Sequence, residues 1–135
     1  IVQGGPYEDL RERSARVLSR ELELDVSADQ LVESVRMTAY PDAVPALTAL
    51  RGRGLRLAAV SNWDCSLGTV LERAGLAELL DGAVSSAEAG APKPDPAIFV
   101  SALELVRCEP AEALLLDRDG GEGDISSLSE IEEHL

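Results

Sequence analysis

Apolar and polar positions follow a helical rhythm over the first fifty residues of this chain. Leu10, Ser14, Val17, Leu18 and Leu22 recur at helical spacing among arginines and glutamates, which predicts an amphipathic helix half-buried on one side. Pro6 suits its first turn, and Glu8 and Asp9 suit the positive end of its dipole. Ser27, with Gln30 three residues on, forms a capping box for a second helix whose buried face is Leu31, Val32 and Val35. Tyr40-Pro41-Asp42 then breaks the pattern: the proline disfavours helix at Tyr40, and Asp42 is placed to cap a third helix. Val44, Leu47 and Leu50 make one more apolar stripe, ended by Gly52 and Gly54.

The rhythm changes at Leu57-Ala58-Ala59-Val60. This short, wholly apolar run is what a parallel strand buried on both faces requires. Ser61, Asn62 and Asp64 stand at its carboxyl end, where open α/β sheets place ligands and the next helix offers free N–H groups to an anion. The same residues also read as a plain strand-to-helix turn capped by Asp64 or Ser66. A helix is predicted through Leu67, Val70, Leu71 and Ala74, stopped by Gly75. Leu76 to Leu80 reads as an apolar turn, Ala83-Val84-Ser85 as a second strand, and Glu88 to Ala91 as a small-residue loop. In Pro92-Lys93-Pro94-Asp95-Pro96 three prolines hold Lys93 in an extended, low-entropy backbone. Asp95 and Pro96 start a helix that buries Ile98, Phe99, Ala102, Leu103 and Val106. Strands are expected near 55–61, 82–85 and 113–117.

Composition narrows the function. The chain has 135 residues, 45% of them hydrophobic and 3% aromatic, so one core built from Leu, Val and Ala is expected. A formal charge of −13 repels nucleic acid and anionic membrane, and neither is expected as a partner. No apolar run reaches the roughly 20 residues that span a bilayer, and no signal-peptide pattern opens the chain. Cys65 and Cys108 lack metal-type spacing and read as free thiols, which points to the cytoplasm. The one histidine is His134, so Ser-His-Asp or Cys-His catalysis is set aside. Acid–base chemistry is left to carboxylates or a lysine.

Val60-Ser61-Asn62-Trp63-Asp64, with Ala91-Pro92-Lys93-Pro94-Asp95-Pro96-Ala97-Ile98-Phe99 about 30 residues further on, resembles the haloacid dehalogenase-like hydrolase superfamily, and among its members the phosphatase-like proteins with a helical cap. The resemblance runs from Tyr40 to about Ala113. It implies that Ser61 is the hydroxyl that binds the transferring phosphoryl group, that Asn62 joins it in binding phosphate, and that Lys93 neutralises the charge of phosphate and nucleophile. Such roles suit phosphoryl transfer, where charge develops on equatorial oxygens. Residues 1–39 are expected to be part of the helical cap, and residues 40–135 a core lacking its first strand. The implied fold is α/β, a small parallel Rossmann-like sheet with helices on both faces and a partial cap.

Two departures from the family pattern stand out. The nucleophilic aspartate belongs to a D-x-D-x-T motif ending the first core strand, and these 135 residues contain no such motif. The chain is therefore expected to begin inside the cap and to be inactive alone. The fourth motif, which holds Mg²⁺, should place its aspartate at Arg118, whereas Asp117 and Asp119 flank that position. A one-residue shift in a strand reverses the face a side chain points to, so Asp117 and Asp119 are only candidate metal ligands. Either Leu114–Asp119 is the fourth-motif strand, or it is the next core strand and the fourth motif is deleted near Ala113; the deletion is favoured. Asp117-Arg118-Asp119-Gly120 lacks the threonine of a displaced first motif and reads as a solvated acidic loop. Strand 113–117 is expected to pair directly beside 55–61. Three functions are compatible with this pattern: a Mg²⁺-dependent hydrolase of small phosphorylated metabolites, a non-catalytic anion-binding remnant, or, third, a 2-haloacid dehalogenase.

Overall fold

The computed structural model describes residues 6–34 and 36–116. The first two helices form where the periodicity predicts: α1 spans Pro6–Leu22 and α2 Ala28–Ser34. The Ser27–Gln30 capping box is present, with the Ser27 N–H donating to Gln30 Oε1 at 2.9 Å and the Gln30 N–H donating to Ser27 Oγ at 3.1 Å. The two helices pack on each other. The face of α1 turned inward differs from the expected one. Ala15 is buried, whereas Val17, Leu18 and Leu22 are exposed. The inward face is set by Ala15 and by Arg11 one turn earlier, which reaches across to Asp64. Val35 lies outside the described residues, as do the side chains of Leu10 and Val32.

Helix α3 spans Ala43–Gly52 and leads into strand β1, Ala58–Ser61. Asp42 occupies the capping position but makes no capping bond with its side chain. Its backbone is already helical (φ −84°, ψ −15°) rather than extended, as a capping side chain needs. Helix α4, Leu67–Arg73, is followed by a 3₁₀ turn, Ala77–Leu79, and by strand β2, Gly82–Ser85. The strands pair in parallel, Val60 opposite Val84 and Ser61 opposite Ser85, so both present their carboxyl ends on one side. The stretch after β2, expected as a small-residue loop, contains a helical turn instead, α5, Ser86–Ala89. Helix α6, Pro96–Val106, lies against both strands, and α4 against β2. Ile98 and Ala102 of α6 bury against Val84, with Val60, Ala89 and Phe99 packed around them. Of the five residues expected to be buried, Ile98 and Ala102 are, whereas Phe99, Leu103 and Val106 are half-buried.

Ser85 and Glu88 explain α5. The Glu88 N–H donates to Ser85 Oγ at 3.2 Å, while Glu88 Oε2 accepts from the Ser85 N–H at 3.1 Å and from its hydroxyl at 2.8 Å. Gly90 then closes the turn at φ +70°, a conformation that side chains disfavour. Because Ser85 is fully buried and its hydroxyl holds the cap, Ser85→Ala should lower stability by about 1–2 kcal/mol. The urea midpoint reads the change; a shift no larger than that of an exposed serine, such as Ser101, would contradict it.

The expected third strand is corrected. Among the described residues the sheet has two strands, β1 and β2, and residues 113–116 join no ladder. Ala113 is extended, but Leu114 and Leu115 are half exposed. A groove of about 550 Å³ is lined by Ala58 and Val60 together with Leu114–Leu116. Among the described residues β1 pairs with β2 alone. Strand β1 is half-buried along its length instead of buried on both faces. Asp117, the last residue of the expected strand, lies outside the described residues.

Candidate functional site

The site is built on the loop leaving β1. Ser61 ends the strand, half-buried, and the next residues are tied down one after another. The Trp63 carbonyl accepts from the Ser86 hydroxyl at 3.0 Å and from the Ala87 N–H at 3.2 Å, which fastens the loop to the start of α5. The Trp63 indole N–H donates to Ser66 Oγ at 3.1 Å. Asp64 Oδ1 accepts from the Ser66 N–H at 2.7 Å and the Ser66 hydroxyl at 2.5 Å. Ser66 precedes α4 without capping it. Asp64 does the fastening, through a local turn of the kind aspartate favours.

Asn62 reaches across the carboxyl end of the sheet. Its Oδ1 accepts from the Lys93 N–H at 2.6 Å, and its Nδ2 donates to the Lys93 carbonyl at 3.2 Å. The Lys93 loop is closed by the Asp95 N–H donating to the Pro92 carbonyl at 2.8 Å. Asp95 then caps α6 by accepting from the Ala97 N–H at 2.9 Å, with Pro96 in the first turn as predicted. The two stretches singled out in the sequence are therefore joined at the backbone, through one amide side chain. Sequence pattern names both partners but not this bond, which spans 31 residues.

Sequence pattern does not single out Arg11. Its Nε donates to Asp64 Oδ2 at 2.6 Å, and its Nη2 pairs with Asp64 Oδ1. This ties α1 to the loop three residues beyond Ser61. Burial raises the pKa of Asp64, but the hydrogen bonds from Arg11 and Ser66, with the Arg11 charge, outweigh it and hold the carboxyl below its ordinary value. A carboxyl whose pKa is lowered on folding adds stability that is present above the unfolded value and is lost as pH falls through the folded one. The melting temperature of the wild type should therefore exceed that of Asp64→Asn near pH 7 and approach it as the pH drops below the ordinary carboxylate range. A gap that ignores pH would contradict this.

Among the described residues no group of three His, Cys, Asp or Glu side chains comes together to hold a metal. The candidates Asp117 and Asp119 lie outside the described residues. Cys65 and Cys108 are free thiols, as expected. No described helix is long and apolar enough to cross a membrane.

Parallel strands, helices packed against them and a lysine loop fastened to the residue after the tip of one strand define a domain of the α/β class. The chain belongs to the haloacid dehalogenase-like hydrolase family, whose model matches residues 5–130. It is 52% identical over 65 residues to the bovine haloacid dehalogenase-like hydrolase domain-containing protein 3, covering 48% of this chain and 26% of that protein. It is 35% identical over 145 positions to a Mycobacterium tuberculosis phosphatase, covering 84% of this chain and 67% of that one. That alignment is longer than the 135-residue chain, so stretches of the mycobacterial protein have no counterpart here. Measured against the animal relatives, the chain spans between a quarter and a third of their length. The crystal structure of a HAD phosphatase from Thermococcus onnurineus superposes with a TM-score of 0.70, covering 88% of this chain and 69% of that one at 23% identity. This likeness is one of fold.

Proposed function

We propose that this chain carries the phosphate-binding part of a phosphatase that acts on small phosphorylated metabolites. In this reading Ser61 donates its hydroxyl to a phosphoryl oxygen, Lys93 balances its charge, and α1 with α2 forms part of the cap above them. The observation that carries it is the bond pair between Asn62 and Lys93, which fastens the lysine loop to the residue after Ser61. A hydroxyl and a fixed ammonium beside strand-end N–H groups suit a tetrahedral dianion. Ammonium is a compact point charge and matches it well.

Turnover needs a nucleophile as well, and the D-x-D-x-T motif of the family is absent from these 135 residues. The chain alone is therefore expected to bind phosphate without hydrolysing its esters. The test is titration with inorganic phosphate, beside hydrolysis of a chromogenic phosphate monoester with and without Mg²⁺. Saturable phosphate binding with no turnover supports the reading. Mg²⁺-dependent turnover that Lys93→Ala removes would make the chain a complete enzyme. Absence of phosphate binding would sink the proposal.

A further inference from the structure

We infer that Asn62 is a positioning residue, which serves an anion at this site by fixing Lys93 and not by touching the anion. The inference rests on the phosphate-binding reading proposed for Ser61 and Lys93. Its basis is the match between two groups. Pro92 and Pro94 have no N–H, so Lys93 supplies the one backbone donor of that tripeptide. The Asn62 amide takes that donor and returns its own to the carbonyl of the same residue. A carboxamide offers a donor and an acceptor side by side in this way without any change of protonation. Both of its polar atoms are directed at backbone, as a neighbouring strand's would be.

The effect is to tether a flexible side chain at its root. A lysine has four rotatable bonds, and its ammonium is useful as a fixed charge only if the backbone that carries it is fixed. From Lys93 the constraint continues into the Pro92–Asp95 turn, the Asp95 cap and α6, which is anchored in the core by the fully buried Ile98. Asn62 joins this chain of contacts to the tip of β1. Asn62 itself is exposed, so its loss should loosen the loop without unfolding the domain.

Two measurements on the full chain test this. The first is amide exchange at Lys93. Asn62→Ala should speed it about three- to tenfold, the range of one modest hydrogen bond. Asn62→Asp keeps the acceptor and should retain the protection. The second is a double-mutant cycle read by affinity for inorganic phosphate. Asn62→Ala should weaken binding about three- to tenfold in the wild-type background. In the Lys93→Ala background, where no ammonium is left to place, the added change should stay within about twofold. Equal losses in both backgrounds would mean direct contact or general damage, and would overturn the inference. So would unchanged exchange, or unchanged affinity in Asn62→Ala while the wild type binds. A wild type without phosphate affinity would instead overturn the phosphate reading itself, with the exchange result still reporting on the clamp.

Discussion

Lys93→Ala should weaken the binding of inorganic phosphate by roughly ten- to a hundredfold. Hydrogen bonds to charged groups contribute about 1.5–3 kcal/mol, and each 1.4 kcal/mol is about tenfold in affinity. The charge of the chain sharpens the argument. At −13 overall the protein repels a phosphate dianion at long range, so binding depends on a local cation strong enough to reverse that field. Lys93 stands at the carboxyl end of the sheet, held by β1 through Asn62 and by α6 through Asp95. Lys93→Arg should fall between wild type and alanine, because a broad guanidinium replaces a compact ammonium. Calorimetric titration at fixed ionic strength measures all three. Equal affinities for wild type and Lys93→Ala would remove the lysine from the site.

How much of this is legible in the sequence depends on the range of each interaction. Local signals suffice for the Ser27–Gln30 box, the Asp95-Pro96 helix start and the apolar run before Ser61. Each lies within a few residues and appears where the pattern puts it. Ser85 and Glu88 are equally local, yet α5 escapes a reading that weighs the small residues of the stretch and not a cap three positions apart. Contacts between distant segments are out of reach. Nothing near Arg11 separates it from the other arginines of α1, and its partner lies 53 residues away. The same holds for the bonds between the Asn62 amide and Lys93, which join residues 31 apart. The strand expected at 113–117 fails for a different reason. Its apolar residues are real, but a strand is defined by its neighbour, and the described residues 113–116 join no ladder.

The core rests on one residue more than on any other, and Ile98→Ala should remove about 2–5 kcal/mol of stability. Ile98 is completely buried and sits among Val84, Ala102, Val60, Ala89 and Phe99. Its buried neighbours, Val84 and Ala102, are short side chains fixed on β2 and α6, so neither reaches far into the space and the cavity persists. Domains of this kind are stable by about 5–15 kcal/mol in all, so the loss is a large share. With a urea slope of about 1–3 kcal/mol per molar, the midpoint should fall by about 1–2 M. Val100 provides the contrast. It lies two residues along the same helix but is half exposed, and Val100→Ala should cost about 0.5 kcal/mol or less. Because α6 also carries the Asp95 cap and the turn that holds Lys93, partial loosening at Ile98 should reach the site. Phosphate affinity of Ile98→Val, a milder change of about 0.5–1.5 kcal/mol, should drop less than that of Asn62→Ala, since Ile98 lies further along the same chain of contacts. The opposite order would mean that packing beneath the loop, and not the amide above it, sets the position of the lysine.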